Sequence, residues 1–75
     1  MSITRLNCLG LRCPLPIVKM TLEMKTLGEG DALEVEADDL AFEADLEAWI
    51  KKTGHELVSL EVRPNTRALI KKVGP

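Results

Sequence analysis

A chain of 75 residues, 45% hydrophobic and 29% charged, has the material for one compact core, and at this size folding buries only about 60% of the unfolded surface. Ten Lys and Arg against twelve Asp and Glu leave a net charge of −2. That balance excludes a one-sided disordered tail and argues against a nucleic-acid module, whose phosphate contacts leave a basic excess. The longest stretches without Asp, Glu, Lys or Arg run from Leu6 to Leu11 and from Cys13 to Val18, too short for a bilayer span or a secretory signal. The expectation is a single domain over residues 1–75, soluble and cytoplasmic, with no membrane insertion.

Ile3 to Cys8 mixes apolar and polar positions and reads as a first strand. Cys13-Pro14-Leu15-Pro16 opens a helix, since proline is favoured just inside a helix start. Ile17, Met20, Met24 and Leu27 recur at helical spacing with Lys19, Glu23 and Thr26 on the other side, and Gly28 is placed to end the helix. Leu33, Val35 and Ala37 alternate with Glu34 and Glu36 as a half-buried strand. Asp38-Asp39 supplies an N-cap for a second helix, whose stripe is Phe42, Leu46, Trp49 and Ile50. Lys51 and Lys52 suit its last turn and Gly54 stops it. Val58, Leu60 and Val62 alternate with Ser59 and Glu61 as a third strand, Pro64-Asn65 turns the chain, and Thr66 to Val73 returns as a fourth.

The order is β-α-β-α-β-β. Each helix has a single apolar stripe, so the arrangement expected is a two-layer α/β sandwich, a four-stranded mixed sheet with both helices on one face. Right-handed crossovers allow that only for certain strand orders.

Charge is segregated along the chain. Residues 1–28 carry a net +3, residues 29–47 hold nine acids with no Lys or Arg, and residues 48–75 carry a net +4. A solvated acidic face is the plain reading. The sharper one is a basic surface near one end that steers an acidic partner protein.

Cys8, Cys13 and His55 are too few and wrongly spaced for a structural zinc site, and two cysteines make no disulfide scaffold. No metal is expected, and both cysteines are expected as thiols in a reducing cytosol. The informative segment is Gly10-Leu11-Arg12-Cys13-Pro14-Leu15-Pro16. With a helix starting at Pro14, Cys13 is its N-cap. Pro14 and Pro16 have no N–H to offer, so the Leu15 N–H becomes the natural donor to the sulfur. The helix dipole and Arg12 act in the same direction, which favours a nucleophilic thiolate. Gly10 permits the tight turn from strand end to helix start. A buried, inert cysteine is the competing reading.

A short chain with this G-L-x-C-P-x-P element after its first strand, an Asp-rich helix entry, and Trp49 followed by Gly54-His55 resembles the TusA/SirA family of sulfur-carrier proteins over nearly its whole length. The resemblance implies a two-layer α/β sandwich and a persulfide on Cys13, with Gly10, Arg12, Pro14, Leu15 and Pro16 supporting it. The Cys13 thiolate would attack the outer sulfur of a donor persulfide, for instance on a cysteine desulfurase. A downstream acceptor thiol would then take that sulfur. No metal or organic cofactor is required. The destination is left open among tRNA thiolation, a molybdenum-cofactor or related pathway, and dissimilatory sulfur metabolism. Members of the family often have Asp where this chain has Asn7, which alters the loop's hydrogen bonds or the charge near Cys13.

Arg12 and Lys19 offer positive charge to the persulfide anion or to a partner, or are simply solvated. Cys8 is either a secondary, resolving thiol or, by the plainer reading, a small buried residue at a strand end. His55 reads as a solvated turn residue, and Trp49 and Phe42 as core. The competing function is a regulatory or adaptor module that binds partner proteins without carrying sulfur. Direct nucleic-acid binding is disfavoured by the lack of stacking residues on the sheet. A monomer is expected, because a carrier docks on successive partners through one exposed end.

Overall fold

The computed structural model describes residues 2–74 and sets out β1 (Ile3–Cys8), α1 (Leu15–Met24), β2 (Ala32–Ala37), α2 (Phe42–Thr53), β3 (Glu56–Glu61) and β4 (Thr66–Lys71). This is the expected element order. The sheet runs β1-β2-β4-β3, with β1 parallel to β2 and β4 antiparallel to both of its neighbours. The chain therefore moves across the sheet in one direction at both crossovers, β1 to β2 and β2 to β3. Crossovers of one hand then bring both helices onto the same face. Among the described residues, no helix is long and apolar enough to cross a membrane.

The core lies between the two layers. Cys8 from β1, Leu33, Val35 and Ala37 from β2, and Ala68 and Ile70 from β4 meet Met20 and Met24 of α1 and Phe42, Leu46 and Trp49 of α2. Both predicted helix stripes are thus the buried ones, with Ile17, Leu27 and Ile50 packed at their margins. The side of the sheet away from the helices carries charge. Arg5 pairs with Glu34 across β1 and β2 at 3.3 Å, and Arg67 bridges Glu36 and Glu61 at 3.6 and 3.5 Å. Cross-strand pairs of opposite sign suit a solvated face, and they account for the alternation of Glu34 and Glu36 in β2.

Three local expectations are corrected. The predicted alternation of Val58, Leu60 and Val62 fails because a bulge between Leu57 and Ser59 shifts the register of β3 against β4. Leu57 and Leu60 then pack on the core, while Val58 and Val62 are left about half exposed. The bulge adds one residue to an edge strand, which flips the alternation beyond it. Gly28 does not end α1, which stops at Met24 with Lys25 as C-cap. The buried Lys72 closes that end instead, its Nζ donating to the carbonyls of Met24 at 2.9 Å and Leu27 at 2.6 Å. The Met24 carbonyl also accepts the Leu27 N–H at 3.2 Å, and a cation on carbonyls at a helix C-terminus suits both hydrogen bonding and the dipole. The N-cap of α2 is Ala41, with no side-chain cap; Asp38 is engaged elsewhere, and the Asp39 side chain reaches only the Ala41 N–H at this helix entry. Gly54 does end α2 as expected, at φ +80° with its N–H on Ile50 O.

Candidate functional site

The parallel pairing of β1 and β2 sets Cys8 opposite Ala37, so the loops that follow both strands leave the sheet side by side. Ligand and reaction sites in α/β layers gather at such strand ends. The first loop begins with a turn in which Leu11 N–H donates to Cys8 O at 3.2 Å and Gly10 sits at φ +81°. A left-handed residue at that position of a turn favours glycine. Asn7 Oδ1 accepts the Leu9 N–H at 2.9 Å. That is an acceptor's role which an amide fills as well as a carboxylate, so the substitution at this position changes charge and not this hydrogen bond.

The second loop grips the first through two carboxylates. Asp38 Oδ1 accepts Gly10 N–H at 2.9 Å and pairs with Arg12 Nη1 at 3.3 Å. The Gly10 N–H holds the Asp38 carboxyl below its usual range against the opposing effect of burial, with the Arg12 charge a smaller help. Asp39 Oδ2 accepts the Cys13 N–H at 2.8 Å while its Oδ1 receives the Ala41 N–H at 3.4 Å. Both acids thus fix the Cys13 loop, and Asp39 ties it to the entry of α2.

Cys13 is exposed at the entry to α1, as expected, but not as its N-cap. Pro14 holds that position, and the Leu15 N–H donates to Arg12 O at 2.9 Å rather than to sulfur. The Arg12 guanidinium is drawn to Asp38. The features expected to favour a thiolate are therefore turned elsewhere, and acids surround the sulfur instead. The Asp45 carboxylate, as acceptor for the thiol proton, pushes the Cys13 pKa up, and lost hydration and the charges of Asp45 and Asp39 add to it. The thiol form is favoured. This reverses the direction expected from sequence, because β2 and α2 bring carboxylates to a site whose own segment offered only a cation.

Beyond Cys13 a groove of about 620 Å³ runs between the helices, lined by Pro14, Ile17 and Thr21 of the α1 side and by Asp45, Trp49 and Lys52 of α2. Trp49 forms part of its floor while its Nε1 donates to Thr21 Oγ1 at 3.1 Å. Pro16, by contrast, is fully buried and anchors the start of α1.

The sulfurtransferase TusA family model matches residues 4–72. The chain belongs to the TusA family of sulfur carriers. It is 38% identical over 68 residues to the sulfur carrier protein TusA of Allochromatium vinosum, covering 89% of this chain and 90% of that protein. It is 52% identical over 56 residues to YrkF of Bacillus subtilis, covering 75% of this chain and 30% of YrkF. YrkI of the same bacterium is 45% identical over 53 residues, 71% of each chain. The chain thus spans about a third of the length of YrkF and of a relative from Aquifex aeolicus, the latter matched over 34% of its length.

Within this TusA-family chain the two cysteines part company. Cys8 has no exposed surface and lies in the core, where burial raises its pKa against a smaller pull from Lys19. Lys19 itself is exposed on α1. His55 is not a free turn residue. Its Nδ1 accepts Val73 N–H at 3.1 Å, its ring lies 5.5 Å from that of Trp49, and burial with the Lys72 charge lowers its pKa. Sequence reading missed Asp39 and Asp45 as neighbours of Cys13. Their only signal was the acidic run of residues 29–47, in which nothing marks the two acids that turn inward to the cysteine.

Proposed function

We propose that Cys13 accepts sulfane sulfur as a persulfide and passes it to the thiol of an acceptor protein. The observation that carries this reading is a single exposed thiol at a helix tip, on a loop hydrogen-bonded to Asp38 and Asp39, in a chain of a sulfur-carrier family. Gly10, Arg12, Pro14, Leu15 and Pro16 serve the reaction by holding that loop.

In loading, Cys13 Sγ attacks the outer sulfur of a donor persulfide, such as that of a cysteine desulfurase. The Sγ–S bond forms, the donor's S–S bond breaks, and the donor leaves as a thiolate that takes up a proton. In unloading, an acceptor thiolate attacks the outer sulfur and Cys13 is regenerated. Thiolate fraction and intrinsic nucleophilicity move in opposite directions with pKa. A Cys13 with raised pKa is thus slow toward chance electrophiles, and each thiolate that does form is a strong nucleophile. A cationic group of the docked partner set against Asp39 and Asp45 would ionise the thiol at the moment of transfer. The chemistry calls for no metal or organic cofactor. Two free thiols suit a reducing compartment such as the cytoplasm, where relays for tRNA thiolation or sulfur metabolism are the fitting destinations.

The test is intact-protein mass spectrometry after incubation with a cysteine desulfurase and cysteine, without reductant. The wild-type chain and Cys8→Ser are expected to gain one sulfur atom that reductant removes, and Cys13→Ser to gain none. Equal loss from both substitutions would contradict a one-cysteine mechanism. An unmodified wild-type chain with several persulfide donors would favour an adaptor that carries no sulfur.

A further inference from the structure

The Gly54-His55 pair has no part in the sulfur chemistry above, yet it is tied into the fold at a definite point. Gly54, in its left-handed conformation, turns the chain out of α2 and sets His55 just ahead of β3. The ladder between β3 and β4 ends at Glu56 and Lys71. Beyond it the Lys72 backbone faces the β2 side, its N–H donating to Asp31 O at 2.8 Å and its carbonyl accepting the Gly30 N–H at 2.9 Å. Alternation along an extended chain then aims the next N–H, that of Val73, toward β3. There a side chain takes the place of the missing strand partner, and His55 Nδ1 accepts the Val73 N–H at 3.1 Å.

An imidazole nitrogen accepts such a bond only in the neutral ring, with the proton on Nε2; an imidazolium donates at both nitrogens. The surroundings oppose the imidazolium. A cavity of about 180 Å³ beside His55 presents two charged groups, Lys25 from the end of α1 and Lys72 after β4. From α2 it presents the uncharged Trp49 and Thr53, and among the described residues that line it none is an acid. Glu56, the next residue along β3, is exposed and outside that lining. Lys72 is held in place, its Nζ donating to the carbonyls of Met24 and Leu27. Burial, and then the Lys72 charge, hold the His55 pKa below 6.5.

We propose that His55 is an acid-sensitive latch, which fastens the segment after β4 to the α2–β3 corner while its ring is neutral and releases it on protonation. The latch stands apart from the persulfide reading. When Nδ1 takes a proton from solvent, the Val73 N–H loses its acceptor and turns to water, and the new cation confronts Lys72. The latch is closed above pH 6.5 and opens as pH falls through the lower native value. Opening is local, because the pairing of β4 with β2 and β3 does not use His55.

The experiment follows the ¹⁵N-labelled chain by NMR from pH 8 to pH 4.5, with hydrogen exchange referred to the unstructured rate at each pH. The Val73 amide shift and the His55 ring are expected to titrate with one midpoint below 6.5. Protection of the Val73 amide should fall about two- to tenfold across it, the worth of one hydrogen bond, while the amides of β4 stay protected. Trp49 is the single tryptophan, its ring 5.5 Å from that of His55, so its emission should be quenched over the same range as the imidazolium forms. His55→Asn, whose amide oxygen can accept in place of Nδ1 without titrating, should keep Val73 protected throughout, and His55→Ala should leave it unprotected at every pH. A Val73 amide that ignores the His55 titration, or one still protected in His55→Ala, overturns the latch. So does a transition that persists in His55→Asn, which would belong to another group. Loss of protection in β4 together with Val73 would mark global acid unfolding and overturn it as well. None of these readouts needs sulfur on the chain, so they stand or fall separately from the carrier reading.

Discussion

Cys8 and Cys13 are separated by one tight turn, and both thiols are held protonated for unlike reasons. Cys8 is enclosed between sheet and helices, where an ion would lose its water. Cys13 stands in solvent at the tip of α1, where the Asp45 carboxylate, helped by Asp39, pushes its pKa up. The first is unreactive because nothing reaches it. The second is reachable and restrained, and the restraint lies in side chains that a docking partner can displace or neutralise. A raised thiol pKa therefore does not by itself separate an inert cysteine from a working one; its cause does.

The widest separation of the two should come from stability. Cys8→Ser places a hydroxyl in an apolar site and is expected to cost about 1–3 kcal/mol, a fall in Tm of roughly 4–8 °C per kcal/mol for a domain this small. Cys13→Ser, at the surface, should stay within about 0.5 kcal/mol. Urea denaturation of both variants reads this directly, and equal losses would break the comparison. Gly10 in the connecting turn comes next. At φ +81° with no atom within 4 Å of a built Cβ, Gly10→Ala should cost about 1–2 kcal/mol from backbone strain alone. A loss well above that would mean an unseen steric clash.

Reactivity supplies a finer cut. Arg12 is paired with Asp38 and not with sulfur, so Arg12→Ala should leave the pH profile of Cys13 alkylation almost unchanged. A clear rise in its midpoint would return the guanidinium to the sulfur and restore the thiolate scheme expected from sequence.

The smallest effects lie in the pH dependence of stability. Both cysteines have raised native pKa values, so their contribution is complete below the unfolded thiol pKa and is lost as pH rises through the native one. Cys13 is solvent-screened, so Cys8→Ala should flatten the alkaline limb of a Tm–pH curve more than Cys13→Ser does. His55, lowered from 6.5 by burial and by Lys72, works at the other end. Its contribution is present above 6.5 and lost as pH falls through the lowered native value, so His55→Gln should flatten the acid limb.

The elements and the core were legible because hydrophobic period carries them. Met20 and Met24 fall at helical spacing, Leu33, Val35 and Ala37 alternate, and Gly54 marks a helix stop. Cys13 was legible from its prolines and its place after the turn. Its electrostatics were not, because they depend on Asp39 and Asp45, which parallel pairing of β1 with β2 and the entry into α2 bring from 26 and 32 residues away. Lys72 was hidden for the same reason. Nothing local distinguishes it from Lys71, and only its position after β4 brings its ammonium to the end of α1.

The most direct test of the account maps where sulfur sits in the wild-type chain. After loading and alkylation, cleavage behind Arg12 puts Cys8 and Cys13 on separate peptides, and mass spectrometry reads the added sulfur on each. The account predicts it on the Cys13 peptide alone. Sulfur on the Cys8 peptide, or divided evenly between the two, would contradict it.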